Sequence, residues 1–143
     1  AAISAAMVIP NVVGTADMQV VSAARMVAAD LQYAQSLAVA AQERVTVTFE
    51  PGNERYSLRF ANESAPLVHP ITKSDYVTSF KTRHGFERLD VVSASFGGGG
   101  AVTFDELGAP DNAGTVILQA GPHVYYVTVA TATGKVTVTA SGS

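Results

Sequence analysis

The sequence predicts an α+β fold, with one long N-terminal helix packed on an antiparallel β domain. Two patterns predict it. From Met18 to Gln42 apolar residues recur at three- and four-residue steps. After Arg44 the period falls to two, in short runs separated by turn residues. The chain has 143 residues, 48% apolar and 15% charged, which suits one domain folded around a core. We expect a helical segment over residues 1–43 and a β domain over residues 44–143.

The elements follow in order. Ala1 to Gly14 reads AAISAAMVIPNVVG and carries no charge. A bilayer span takes about 20 apolar residues, so this stretch is too short to cross alone. It also lacks the charged start of a signal peptide. Two readings stand for it: an ordinary N-terminal core helix, or the end of a membrane segment whose beginning is missing. Pro10 should interrupt or kink a helix, and Asp17 is a candidate cap at a break near Gly14 and Thr15. In the helix, Val20, Ala24, Val27, Leu31, Ala34, Ala38 and Ala41 form the apolar stripe expected to pack on the sheet. Gln19, Ser22, Arg25, Gln32, Gln35 and Gln42 fall off it. The stretch is rich in alanine and free of Gly and Pro, so propensity agrees.

In RVTVTF, Val45, Val47 and Phe49 alternate with Thr46 and Thr48; in RYSLRF, Tyr56, Leu58 and Phe60 alternate with Ser57 and Arg59. Pro51, Gly52 and Asn53 supply a turn between them, so the pair reads as a hairpin. Ala61 to Ser74, with Pro66 and Pro70, reads as a loop. Less regular strand runs cover Tyr76 to Phe80 and Phe86 to Val92. Gly97 to Gly100 reads as a flexible hairpin connection. Further strands are expected at Ala101 to Phe104, Thr115 to Gln119, Val124 to Val129 and Lys135 to Thr139.

Nothing in the sequence assembles an active site, and no catalytic residue, metal ligand or cofactor is predicted. His69, His84 and His123 stand far apart and match no metal-ligand spacing. There are no cysteines, so thiolate chemistry and disulfides are excluded. Gly97–Gly100 is followed by Ala101, Val102 and Thr103, not by the Lys and Ser/Thr of a phosphate loop. Asp105 and Glu106 are adjacent, which aims them to opposite faces of a strand; they read as the start of a turn through Gly108 and Pro110. Asn62-Glu63-Ser64 matches the glycosylation triplet, a pattern that arises often by chance. Net charge is -3 and the C-terminal stretch Thr137 to Ser143 has no basic residue, which argues against nucleic acid as a partner. The nearest basic grouping, Lys81, Arg83, His84 and Arg88, is broken by Glu87 and Asp90.

Three stretches together resemble the GspH/FimT family of minor pseudopilins and pilins. AAMVIPNVVG (Ala5 to Gly14) is similar to the end of a pilin N-terminal helix. AADLQYAQSLAVAAQERVTVTF (Ala28 to Phe49) is similar to the family's amphipathic helix running into its first strand. VTFDELGAPDNAGTVIL (Val102 to Leu118), with TGKVTV (Thr133 to Val138), resembles its C-terminal signature. The family's prepilin leader and Phe-Thr-Leu-x-Glu-type opening are not in this sequence, so the start of the membrane segment is expected to lie before Ala1. The resemblance implies a pilin-like fold and a single-pass protein of the bacterial inner membrane, its globular domain in the periplasm. It implies a mechanical role: packing with other pilin-like subunits in a type II secretion pseudopilus, with an exported protein as a further candidate partner. The alternative is a minor pilin of a type IV pilus serving adhesion, motility or DNA uptake. Val8, Ile9, Pro10, Val12 and Val13 would form the assembly helix. Phe104, Gly108 and Gly134 would mark the signature turns, at least one glycine at positive φ.

Overall fold

A computed structural model describes residues 16–141. Helix α1, Ala16–Ala41, is followed by strands β1 (Val45–Glu50), β2 (Arg55–Phe60), β3 (Val77–Ser79), β4 (Leu89–Phe96), β5 (Ala101–Phe104), β6 (Gly114–Ala120), β7 (His123–Val129) and β8 (Val136–Ala140). A 3-10 turn, Pro51–Asn53, joins β1 to β2. The strands form two four-stranded antiparallel sheets, in the orders β3-β2-β1-β5 and β4-β6-β7-β8. The helix packs against strands of both sheets.

Val20, Ala24, Val27, Leu31, Ala34 and Ala38 are each at most 1% exposed and share one core with Val45, Val47, Leu58, Phe104, Val116, Leu118 and Val127. The alanines let the helix axis approach the strands, and Val27 and Leu31 fill the space between them. Ala41 is only half-buried. The helix stops at Gln42, whose φ of 55° is left-handed, and the Glu43 N–H bonds the Ala38 carbonyl at 3.3 Å. This is a Schellman-type close in which a glutamine takes the place usually given to glycine. Asp17 lies within the first turn of α1 and is not its cap.

The expected hairpin forms, with Val47 opposite Leu58 and Phe49 opposite Tyr56. Thr46 does not face solvent: it is 3% exposed, and its hydroxyl sits 2.8 Å from that of Thr103 on β5. The strand expected at Phe86 to Val92 is displaced to Leu89–Phe96. Positive φ at Gly85 turns the chain there, and the Phe86 ring packs 5.1 Å from that of Phe80 instead of entering a ladder. Pairing with β6 then carries β4 through Ser93-Ala94-Ser95, which has little strand character alone. Gly97 to Gly100 does not close a hairpin, because β4 and β5 belong to different sheets.

Candidate functional site

The assembly residues expected from the sequence, Val8, Ile9, Pro10, Val12 and Val13, lie outside the described residues. The remaining expected positions converge on α1. The Phe104 side chain is fully buried opposite Val45, and β5 ends there. Asp105 then builds the turn: its Oδ1 accepts N–H bonds from Leu107 at 2.9 Å and Ala109 at 3.0 Å. This leaves the carboxylate committed to the backbone. Gly108 has φ 86°, and Gly134, in the β7–β8 connection, has φ 70°. Side chains other than glycine rarely adopt either value.

These two turns come from different sheets, and one side chain holds both. Gln35 Nε2 donates to the Gly108 carbonyl at 2.8 Å and to the Thr133 carbonyl at 3.0 Å. The fit is tight. A Cβ on Gly134 would stand 2.5 Å from Gln35 Nε2 and 2.8 Å from the Gly108 carbonyl oxygen. One on Gly108 would meet Gln35 Cγ at 3.3 Å. The signature glycines therefore do two things: they supply the turn geometry and they leave room for a helix side chain. Gln42 adds a second tie, donating to the Glu106 carbonyl at 3.2 Å.

A second polar junction lies on the flank of α1. Asp30 accepts the Tyr56 hydroxyl at 2.5 Å and the Tyr76 hydroxyl at 2.6 Å. Burial, with the Asp30 carboxylate close by, pushes both phenols well above the ordinary tyrosine value. Tyr76 is further packed between Tyr33 and His69, with centroids at 5.5 and 4.3 Å. At the other end of the helix Gln19, 5% exposed, accepts the Arg88 N–H at 2.9 Å. Sequence periodicity puts Gln19 and Gln35 off the stripe and gives Asp30 no role. The available signal was a polar side chain on the flank of an alanine-rich face, long enough to reach a backbone beyond it.

These junctions are structural ties, and an open, shallow cleft of about 390 Å3 lies beside the first, lined by Gln35, Ser36, Val39, Ala40, Leu107 and Gly108. A second shallow cleft, about 400 Å3, is lined by Met18, Gln19, Ser22, His84, Gly85, Phe86 and Glu87. Its carboxylate, Glu87, is held below the usual range by its own backbone N–H and that of Gly85, so it is ionised at neutral pH. Among the described residues no three His, Asp or Glu side chains gather where a metal could sit.

The strand ending at Phe104, the Gly108 turn and the Thr133-Gly134 turn before β8 stand in the order of the C-terminal motif. The family model for the type II transport protein GspH matches residues 23–142. The chain belongs to the GspH family. No curated protein matches it in sequence. Among solved structures it is similar in fold to the minor pseudopilin EpsH of the Vibrio cholerae type 2 secretion system. There the TM-score is 0.69 at 13% identity, covering 90% of this chain and 99% of that one. It is also similar to the type IV minor pilin FimU of Pseudomonas aeruginosa, with TM-score 0.62 at 19% identity, covering 89% of this chain and 96% of that one. The GspH match spans α1 from Ala23 onward and every strand, so it contains Asp30, Gln35 and both turn glycines. Among the described residues, no helix is long and apolar enough to cross a membrane.

Proposed function

We propose that this GspH-family chain is a minor pseudopilin, a structural subunit of a type II secretion pseudopilus that supports protein export. The family match over residues 23–142 carries this reading. In it the chain is not an enzyme. Its apolar start, Ala1 to Gly14, holds the subunit in the bacterial inner membrane before assembly and packs on the helices of other pilin-like subunits afterwards. Val8, Ile9, Pro10, Val12 and Val13 are the packing residues. Residues 44–143 form the periplasmic β domain, tied to the helical segment of residues 1–43. The sequence supports this division: Ala1 to Gly14 is uncharged and needs lipid or neighbouring helices to cover it.

The test is complementation. The gene is deleted and replaced by a version lacking codons 1–14 of this sequence, with the purified product checked by circular dichroism. The proposal expects a folded β domain, no rescue of protein export and no incorporation into filaments. Rescue of export by the truncated protein would refute it. Loss of piliation with intact export would move the assignment to a minor pilin of a type IV pilus.

A further inference from the structure

A sheet edge exposes backbone N–H and C=O groups that can pair with another strand, and proteins commonly block such edges. The two sheets have four edges, and three are blocked in different ways. β3 has three residues, too few to template much. At β5 the chain covers its own edge: Thr103 donates to Asp111 Oδ1 at 3.0 Å, and the Asp111 N–H returns to the Thr103 carbonyl at 2.8 Å. On β4 the register shifts between Val91 and Ser93, and Glu54 Oε1 accepts the Val91 N–H at 3.2 Å.

Among the described residues, β8 has none of these devices. Its sequence is Val-Thr-Val-Thr-Ala, with no charge, no Pro and no Gly. The ladder fixes which of its groups are unused. The Ala130 N–H bonds the Lys135 carbonyl at 2.9 Å, and the Ser141 N–H bonds the Val124 carbonyl at 2.9 Å. Antiparallel pairs alternate, so residues 135, 137, 139 and 141 aim their backbone at β7. Val136, Val138 and Ala140 therefore aim theirs outward, and among the described residues no strand pairs with them. Val136 and Val138 also continue the buried row of Val129 and Val127, and Val138 is left 38% exposed at its margin.

We propose that the open edge of β8 binds the same edge of a second copy of this chain, antiparallel about a two-fold axis at Val138. The sequence is self-complementary in that register. Val138 stands opposite Val138 of the copy, Val136 opposite Ala140, and Thr137 opposite Thr139. Every outward residue then meets an outward residue, giving about six new hydrogen bonds at two per narrow pair. No like charges are opposed: Lys135, the nearest charge, falls opposite Ser141. The β4-β6-β7-β8 sheets of the two copies become one continuous sheet, and the contact is isologous and closed. This inference does not rest on the filament reading.

The experiment is sedimentation equilibrium of the purified chain over a range of concentrations, with amide hydrogen exchange read residue by residue. The dimer predicts reversible self-association, and slower exchange at Val136, Val138 and Ala140 as concentration rises. Thr137 and Thr139, already paired to β7, should not change. Val138→Pro removes an outward donor without touching the β7 ladder, and Val138→Lys sets two positive charges face to face. Each should raise the dimer dissociation constant about tenfold or more, with circular dichroism unchanged. Self-association that survives both variants would overturn the proposal and place the contact elsewhere. A chain that stays monomeric, with those three amides exchanging freely at every concentration, would overturn it equally.

Discussion

Two rows of side chains run down α1, and they hold the molecule by different means. The apolar row, Val20 to Ala38, is buried against strands of both sheets and is non-directional. The polar row is directional: Asp30 accepts from two tyrosines, and Gln35 donates to two turns. The apolar row makes the helix stick. The polar row decides how far it slides and which turns face it, because each bond is lost within about an ångström of displacement.

Substitutions along the two rows should separate these roles. The largest effect is expected in the apolar row, where Leu31 is fully buried. Leu31→Ala should cost about 2–5 kcal/mol, read from a denaturant or thermal melt. A melt matching the parent would show that this row is not a packed core. Next comes Gly134→Ala, which combines a left-handed φ with close approach to Gln35 and the Gly108 carbonyl. It should cost about 2–3 kcal/mol. Some of that cost should disappear in a Gln35→Ala background, because one of the two clashes is then gone. If the two effects simply add, Gln35 and Gly134 are not coupled.

Asp30→Ala should cost about 1–3 kcal/mol, since it removes the acceptor of the buried Tyr56 hydroxyl and leaves it only its bond with Thr78. The double change with Tyr56→Phe should recover some of it. The same junction sets a pH dependence. Both phenols release their protons less readily in the folded chain than in the unfolded one. Their contribution is therefore complete below the unfolded value of 10.0 and is lost as pH rises through the raised folded values. Stability measured from pH 8 to 12 should fall above about 10, and less steeply in Tyr56→Phe. The smallest effect is expected for Gln35→Ala, about 1 kcal/mol, because its bonds lie partly in solvent. Hydrogen exchange at the Gly108 and Gly134 turns should rise together in that variant.

Legibility in the sequence followed the same division. Periodicity located α1 and the residues of its apolar row, because burial repeats at the helical step. It placed Gln35 outside and gave Asp30 no role, because periodicity measures only the average direction of hydrophobicity. A glutamine can leave the stripe at its Cβ and still reach a carbonyl at its tip. Strand pairs of strong β character, such as β1 and β2, were readable for the same reason as the helix. β4 was misplaced because its second half is weak in isolation and forms on β6.

By itself the sequence determined the helix, the hairpin, the turn glycines and the family, since each is written in local spacing or a short motif. Only the tertiary structure decided that β4 and β5 separate into different sheets, that one glutamine spans two turns, and that β8 is an edge no described strand pairs with. Those facts depend on which segments become neighbours. Spacing along the chain carries the local energies, while the choice of neighbours comes from burying one core against both sheets at once.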